Sequence, residues 1–390
     1  MNLPDTKIIM FTEGDANSVD TWSNIPYFLS QSLEAAGAVV YRSDIGPASS
    51  PKAEKLLFLC VDFAAHCLRK VVGNNPIYEL NRTSVYYQSV LRKMKNALAQ
   101  HPDVKNCLTL TFSHSGALLS KCPPRTFMLC DWPIEYLIKV QQNRTPGILE
   151  KLAIKRQIKE ILAADYVITL FPDVQEFMER TYKRKILYLG NVINSKLIDF
   201  PEKETIEKKA RNNHYLFIGR QKYINSAISL VQAAEHYNKN HETKITIDII
   251  GLTKEMNPLF SSDYVQCYGY LSKENEEQEK LYYNLILHAK AIVNTTEGWN
   301  GMSSLIEAMY YDTPVIIVPN PNIIKTFGNQ CDFGVYCKKD TCKAVLEAIL
   351  TIQAMPNKDY VLTCQQAHKK VETFTWTNYA KKLISLIKND

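Results

Sequence analysis

Short apolar runs alternate along this chain with longer stretches whose apolar residues return every three or four positions. The runs read as buried strands and the stretches as amphipathic helices. Strands are expected at Lys7–Phe11, Ala38–Tyr41, Leu56–Val61, Cys107–Phe112, Thr126–Cys130, Tyr166–Leu170 and Lys185–Leu189. Helices are expected at Ile25–Ala36 (with Gly37 as its stop), Ile134–Val140, Gly147–Ala163 and Val174–Tyr182. The segment Phe200–Asn213 is charged and poor in apolar residues, and reads as a connector between domains. A second alternation follows it. Its strands are Tyr215–Ile218, Lys244–Ile250, Val265–Tyr268, Ala291–Val293 and Pro314–Val318, and its helices Ser226–Tyr237, Glu274–Ala289 and Ser303–Tyr311. A last amphipathic helix spans Trp376–Ile387. Strand and helix in turn, twice over, imply an α/β protein of two doubly wound domains.

In such domains ligands gather beyond the carboxyl ends of the strands, so the polar residues there are the candidates for chemistry. The richest stretch runs from Asn294 to Pro314. A strand turns through Glu297-Gly298-Trp299-Asn300-Gly301 into the helix that opens with Met302, Ser303 and Ser304. Unpaired N–H groups and the helix dipole make such a turn an anion site, and Glu297 and Glu307 bracket it. A ligand with phosphate at one end and hydroxyls at the other suits that layout. A plainer reading stands beside it: Ser304 to Glu307 matches a capping box, and the glycines are turn residues. A helix end contributes only about 0.3–2 kcal/mol toward an anion, whereas micromolar binding needs roughly 8 kcal/mol. A cation must therefore come from elsewhere. Arg220 and Lys222, at the end of the strand Tyr215–Ile218, are the candidates, with a surface turn as the alternative. His114 and Asp131 also follow strands and, with Glu297, are the candidates for catalysis; a solvent-facing or capping role is the plainer reading of His114, and capping of the helix Ile134–Val140 that of Asp131.

Composition narrows the classes. The 390 residues are 46% hydrophobic and 22% charged, enough for two separate cores. A net charge of +6 favours phosphate-bearing ligands or an anionic membrane surface; the basic face of Gly147–Ala163 (Lys151, Lys155, Arg156, Lys159) reads first as a solvated face, with peripheral membrane contact as the alternative. No basic arm or RNA-binding aromatic signature argues for nucleic acid. The first residues lack a signal-peptide pattern and no apolar run approaches a membrane span, so a cytoplasmic protein is expected. The ten cysteines are scattered without CxxC pairs. Neither a GxGxxG fingerprint nor an Asp-x-Asp pair occurs, so no nicotinamide site and no usual metal ligands are expected.

Taken together these residues resemble a retaining glycosyltransferase of the GT-B fold, closest to glycosyltransferase family 4, also called group 1. The resemblance is carried by Phe217-Ile218-Gly219-Arg220, by Tyr268-Gly269-Tyr270, by Glu297-Gly298 through Glu307-Ala308-Met309, and by Thr313-Pro314-Val315. Ala164-Asp165-Tyr166-Val167-Ile168, the turn Tyr188 to Asn194 and Phe374-Thr375-Trp376 match further family elements in order. The resemblance implies two Rossmann-like domains facing across a cleft, with the C-terminal helix returning to the first. It divides the chain into an acceptor-side domain (1–199), a linker (200–213), a donor-side domain (214–373) and the final helix (374–390).

The resemblance also implies roles. Arg220, following Gly219, would bind the donor diphosphate with Lys222 nearby, and Glu307 would hold the ribose. Glu297 and the backbone from Gly298 to Met302 would hold sugar hydroxyls. Gly301, Met302, Ser303 and Ser304 would meet the phosphates, and Tyr270 and Leu271 would flank the base. Four departures stand out. Nine residues separate the two glutamates where the family has seven, and Asn225 takes the place of a second lysine. Asp131 stands where the family has a histidine, and the N-terminal glycine pair is reduced to Gly14. The expectation is a metal-independent transfer from a nucleoside-diphosphate sugar, UDP or GDP, to a glycan or lipid-linked acceptor hydroxyl with retention. No cofactor is expected beyond that substrate. Two alternatives fit the same residues: a nucleotide-sugar-binding assembly subunit, and a GT-B epimerase acting without an acceptor.

Overall fold

A computed structural model describes residues 6–72, 80–111, 113–119, 125–194, 203–298 and 302–388. The chain divides into two compact units, Met1–Asn191 with Trp376–Asp390, and Val192–Thr375.

The first unit is built on six parallel strands: β1 (Lys7–Thr12), β2 (Val39–Asp44), β3 (Asn106–Leu110), β4 (Arg125–Leu129), β5 (Tyr166–Thr169) and β6 (Leu187–Tyr188). Their spatial order is β2-β1-β3-β4-β5-β6. The register pairs Thr12 with both Asp44 and Leu110. Because helices cover both faces, the inner strands are apolar throughout: β3 is buried at every position. The helix Trp376–Lys388 packs in this unit against Ile25–Ala35, and Arg125 donates to the carbonyl of Ile387.

One expected strand is not a strand. Leu56–Val61 lies inside the helix Lys52–Val72. A short apolar run looks the same in a buried strand and in a helix, and here only Phe58 of the run is buried, against Tyr86. Leu56, Leu59 and Phe63 face outward, each more than 60% exposed.

The second unit repeats the plan with β7 (His214–Ile218), β8 (Thr246–Ile250), β9 (Val265–Gly269), β10 (Ala291–Asn294), β11 (Val315–Ile317) and β12 (Gly334–Tyr336). The order is β12-β11-β10-β7-β8-β9, again all parallel. β12 has only three residues and carries no periodicity to read, which is why the sequence does not announce it. The helices Cys342–Gln353 and Asn357–Val371 were likewise unexpected; they bury Val345, Ile349, Tyr360 and Cys364 in the core of this unit.

Part of the segment read as a connector, Lys203–Arg211, is a helix of the second unit. Its polar composition hides one inward position. Lys209, 1% exposed, donates to the carbonyls of Tyr311 (2.7 Å) and Asp312 (3.2 Å) and to Thr313 Oγ1 (2.8 Å). These acceptors lie just past the helix Met302–Tyr310, so a buried ammonium caps the negative end of its dipole.

Lys209→Met should lower unfolding stability by about 1–3 kcal/mol at neutral pH, because buried acceptors lose their donor. Burial lowers the Lys209 pKa from 10.5 to about 8. The native state then binds fewer protons than the unfolded state between those values, so this site makes the wild type more stable as pH rises through that window. The deficit of the variant should widen from pH 7 to pH 10 in denaturant melts.

Candidate functional site

Chain order reverses direction between β7 and β10, the switch point at which an open α/β sheet leaves room for a ligand. The two strands run in register, Ala291 beside Tyr215 and Ile292 beside Leu216. Their loops, Gly219-Arg220 and Thr295-Thr296, therefore leave the sheet side by side. Glycine is required where these loops crowd. Gly251 has φ +93°, and a Cβ there would lie 2.4 Å from the carbonyl oxygen of Gly219. Gly219 has no room either, since its Cβ would meet the ring of Phe217 at 2.7 Å.

Arg220 and Lys222 are both exposed at this end. Lys222 lies over the ring of Tyr223 at 4.7 Å, and neither cation has a carboxylate partner among the described residues. Partial desolvation and the neighbouring Arg220 charge hold the Lys222 pKa below its ordinary value. Two cations held together without counter-charge are an anion site by Coulomb's law alone. Asn225 is exposed on the first turn of the helix Ile224–Asn240.

The loop after β10 is anchored from beneath. Thr295 N–H donates to Ser226 Oγ (2.7 Å) and Thr295 Oγ1 donates to Asp340 (2.7 Å). Glu297 is exposed, with Oε1 accepting from the backbone N–H of Asp340 at 3.3 Å. Gly298, at φ +88°, has its carbonyl held by Asn320 Nδ2 (2.6 Å) and open space where a side chain would be. Trp299, Asn300 and Gly301 lie outside the described residues. The helix begins at Met302, with Met302 buried and Ser303 exposed; its first-turn N–H groups have no intrahelical partner.

Glu307 does not act as the reciprocal member of a capping box. Ser304 is the third residue of the helix rather than its cap, and both Glu307 oxygens are engaged elsewhere. Lys273 Nζ donates to Oε1 (2.6 Å) and Tyr282 Oη donates to Oε2 (2.9 Å). Lys273 also donates to the carbonyl of Asn194 (2.8 Å) and sits 4.6 Å over the ring of Tyr282. Sequence reasoning missed Lys273, although it follows Tyr270 and Leu271 in the loop after β9. Tyr270 itself is 60% exposed, and Leu271 half-buried.

The first unit has its own switch point, between β1 and β3. Gly14 follows β1 with φ +120°, and its N–H donates to Asp44 Oδ1 (2.9 Å) at the end of β2. Beside it, burial raises the Glu13 pKa, with the Tyr86 hydroxyl opposing the shift. His114, a catalytic candidate for which a solvent-facing or capping role is the plainer reading, is 1% exposed. It is stacked on Tyr87 with ring centroids 5.1 Å apart, and neither ring nitrogen has a hydrogen-bond partner among the described residues. Burial and the nearby Arg156 lower its pKa to about 3, so the imidazole is neutral. Asp131 caps no helix either: Pro133 precedes Ile134–Tyr136 and no side chain caps that helix. The Asp131 side chain is buried with Oδ1 unpartnered, and burial pushes its pKa up to about 7. Sequence places His114 and Asp131 at strand ends correctly; it does not reveal that both point inward, because loop burial depends on the helices packed above.

No protein-family model matches the sequence, and no curated protein does. Solved structures do resemble the fold. Sucrose-phosphate synthase from Thermosynechococcus elongatus is similar at a TM-score of 0.68 and 16% identity, over 98% of each chain. Anabaena HepE, solved in complex with UDP and glucose, is similar at 0.61 and 12%, over 98% of this chain and 99% of its own. A Listeria monocytogenes protein described as a UDP-N-acetylglucosamine 2-epimerase is similar at 0.58 and 10%, over 98% and 96%. With two six-stranded parallel sheets and likenesses that span nearly the whole chain, the protein has the GT-B fold of two Rossmann-like domains.

Proposed function

We propose that this protein is a glycosyltransferase that moves a sugar from a nucleoside-diphosphate donor, UDP or GDP, to an acceptor hydroxyl with retention at the anomeric carbon. The observation that carries the proposal is the pair of uncompensated cations, Arg220 and Lys222, beside the β10 loop at the switch point of the second unit. In this reading the diphosphate lies between those cations and the first turn of the helix Met302–Tyr310. Charge developing on the departing diphosphate is met by groups already in place, the main requirement of the reaction. No metal ion is needed for that task in this scheme, and no cofactor beyond the nucleotide sugar. Glu297, with one oxygen on the Asp340 amide and the other without a partner among the described residues, is suited to accept from a sugar hydroxyl. Asp131 and His114 serve the acceptor side, which takes a glycan or lipid-linked hydroxyl. That HepE was solved with UDP and glucose supports the pairing of a nucleoside diphosphate with a sugar.

A thermal-shift panel of UDP-, GDP- and ADP-sugars tests the donor site. Ligand at a hundredfold its dissociation constant adds about 2.7 kcal/mol of stability. A midpoint unmoved by every nucleotide would overturn the reading. Turnover of a labelled donor then separates three cases: transfer needing an acceptor is the proposed reaction, product without one is epimerisation, and binding without product is an assembly subunit.

Two variants extend the test. Arg220→Ala with Lys222→Ala should weaken nucleoside-diphosphate binding by about 10²- to 10⁴-fold in calorimetry, since charge-assisted bonds are worth about 1.5–3 kcal/mol each, with the melting point of the free protein little changed because both side chains are exposed. Asp131→Asn reports the buried carboxyl. A carboxyl raised from 3.8 to about 7 favours the proton-bound native state, so wild-type stability falls as pH rises between those values. The variant lacks this dependence. Its stability relative to wild type should climb from pH 4 to pH 8 by up to about 4 kcal/mol in urea melts.

A further inference from the structure

The amino edge of the first sheet carries a cavity of its own, at the opposite ends of the strands from Gly14, His114 and Asp131. It has a volume of about 470 Å³, and its wall holds four cations, Lys7, Lys105, Arg125 and Lys388, against the single carboxylate of Asp103. All five residues belong to the first unit. The size falls within the range of small-molecule sites, roughly 300–1,000 Å³.

The strand register brings the cations together. Lys7 opens β1, Lys105 directly precedes β3 and Arg125 opens β4. In the sheet β3 lies between β1 and β4, with Ile8 beside Asn106 and Asn106 beside Arg125. Neighbouring strands lie about 4.8 Å apart, so three basic residues stand at the starts of adjacent strands at nearly one level. Asn106 Nδ2 donates to the Lys7 carbonyl (3.1 Å) and the Arg125 N–H to the Lys105 carbonyl (3.1 Å), which ties those strand starts to one another. Lys388 comes from the last turn of the helix Trp376–Lys388.

Local needs account for only part of this charge. Lys7 pairs with Asp103. Arg125 donates to the carbonyl of Ile387, at a helix end that carries about half a negative charge. Lys105, Arg125 and Lys388 have no carboxylate partner among the described residues. The cations, the one carboxylate and the helix end together leave roughly two to three positive charges at the cavity. Like charges this close repel, and an anion between them relieves the repulsion. Lys105 and Lys388 are exposed and Arg125 is half-buried, so they are within reach of a ligand from solvent.

We infer that this cavity is a second anion site, which takes a phosphate-bearing ligand. Five residues of β3 separate it from the carboxyl edge, roughly 17 Å at 3.3 Å per residue. A ligand here touches neither His114 nor Asp131. It bridges the starts of β1, β3 and β4 to the end of the last helix, with the remaining guanidinium donors of Arg125 matched to phosphate oxygens. The inference does not rest on the donor-site reading.

The probe is inorganic pyrophosphate, titrated calorimetrically into the full chain at about 0.15 M salt, where exposed charges more than ~8 Å apart are largely screened. Pyrophosphate also suits the donor site, so the host is R220A/K222A, and binding should persist there. Adding Lys105→Ala and Lys388→Ala should weaken that binding at least tenfold. Pyrophosphate that does not bind R220A/K222A, or that binds equally well once the two lysines are removed, overturns the inference. Should the added pair prevent folding, Lys105→Glu alone should produce the same loss, and an unchanged affinity again counts against the site. Sedimentation with phosphatidic-acid vesicles then names the source of the phosphate. Vesicle binding that K105A/K388A abolishes marks a lipid head group, and pyrophosphate binding without vesicle binding marks a soluble ligand. Failure of UDP to bind bears on the donor site alone.

Discussion

The ammonium of Lys209 fixes the element on which the candidate donor site stands. It satisfies carbonyls just beyond the C-terminal end of the helix Met302–Tyr310 from inside the second unit, at 1% exposure. With that end closed by a buried cation and the chain continuing into β11, the helix has little freedom to tilt. Its opposite end is thereby held at the carboxyl edge of the sheet, where the helix dipole favours an anion. Ser226, on the helix Ile224–Asn240, and Asp340 hold Thr295 in the preceding loop in the same way. A site that must stabilise charge benefits from such anchoring, because preorganised dipoles need not reorient as the charge appears.

Several buried carboxylates of the protein are neutralised or hydrogen-bonded locally. Glu150 is buried between Arg82 and Arg144, and those partners outweigh desolvation to lower its pKa. Glu160 accepts from Tyr87 and from both the N–H and hydroxyl of Ser115. Arg220 and Lys222 have no such partner among the described residues, and the strand order that makes β7 and β10 neighbours brings their loop out of the sheet beside the β10 loop.

The first unit shows a different arrangement. Its strand-end residues turn inward: His114 lies neutral beneath Tyr87, and Asp131 is held near its point of half-ionisation by burial. An imidazole with two unpartnered nitrogens and a carboxyl with an unpartnered oxygen are costly in an apolar setting. They are the positions in this unit where polar chemistry is least compensated. Leu56, Leu59 and Phe63 show the reverse, apolar side chains turned out on the helix Lys52–Val72.

Much of the architecture was legible in the sequence because a parallel sheet covered on both faces demands continuous apolar runs. β1, β3, β4, β7, β8 and β10 were all visible on that ground. Strand order was not, since no local pattern says that β10 rather than β9 pairs with β7. The apolar run at Leu56 and the three residues of β12 failed for the matching reason: periodicity needs length, and a helix and a strand look alike over six residues. At the site, residue types at strand ends named Arg220, Lys222, Glu297 and Glu307. Tertiary structure alone decided that Glu307 meets Lys273 and Tyr282, that a lysine in a polar segment is buried at a helix end, and that His114 and Asp131 face the interior. Each of these depends on contacts between residues 25 or more positions apart in sequence, whose burial is set by packing and not by neighbours along the chain.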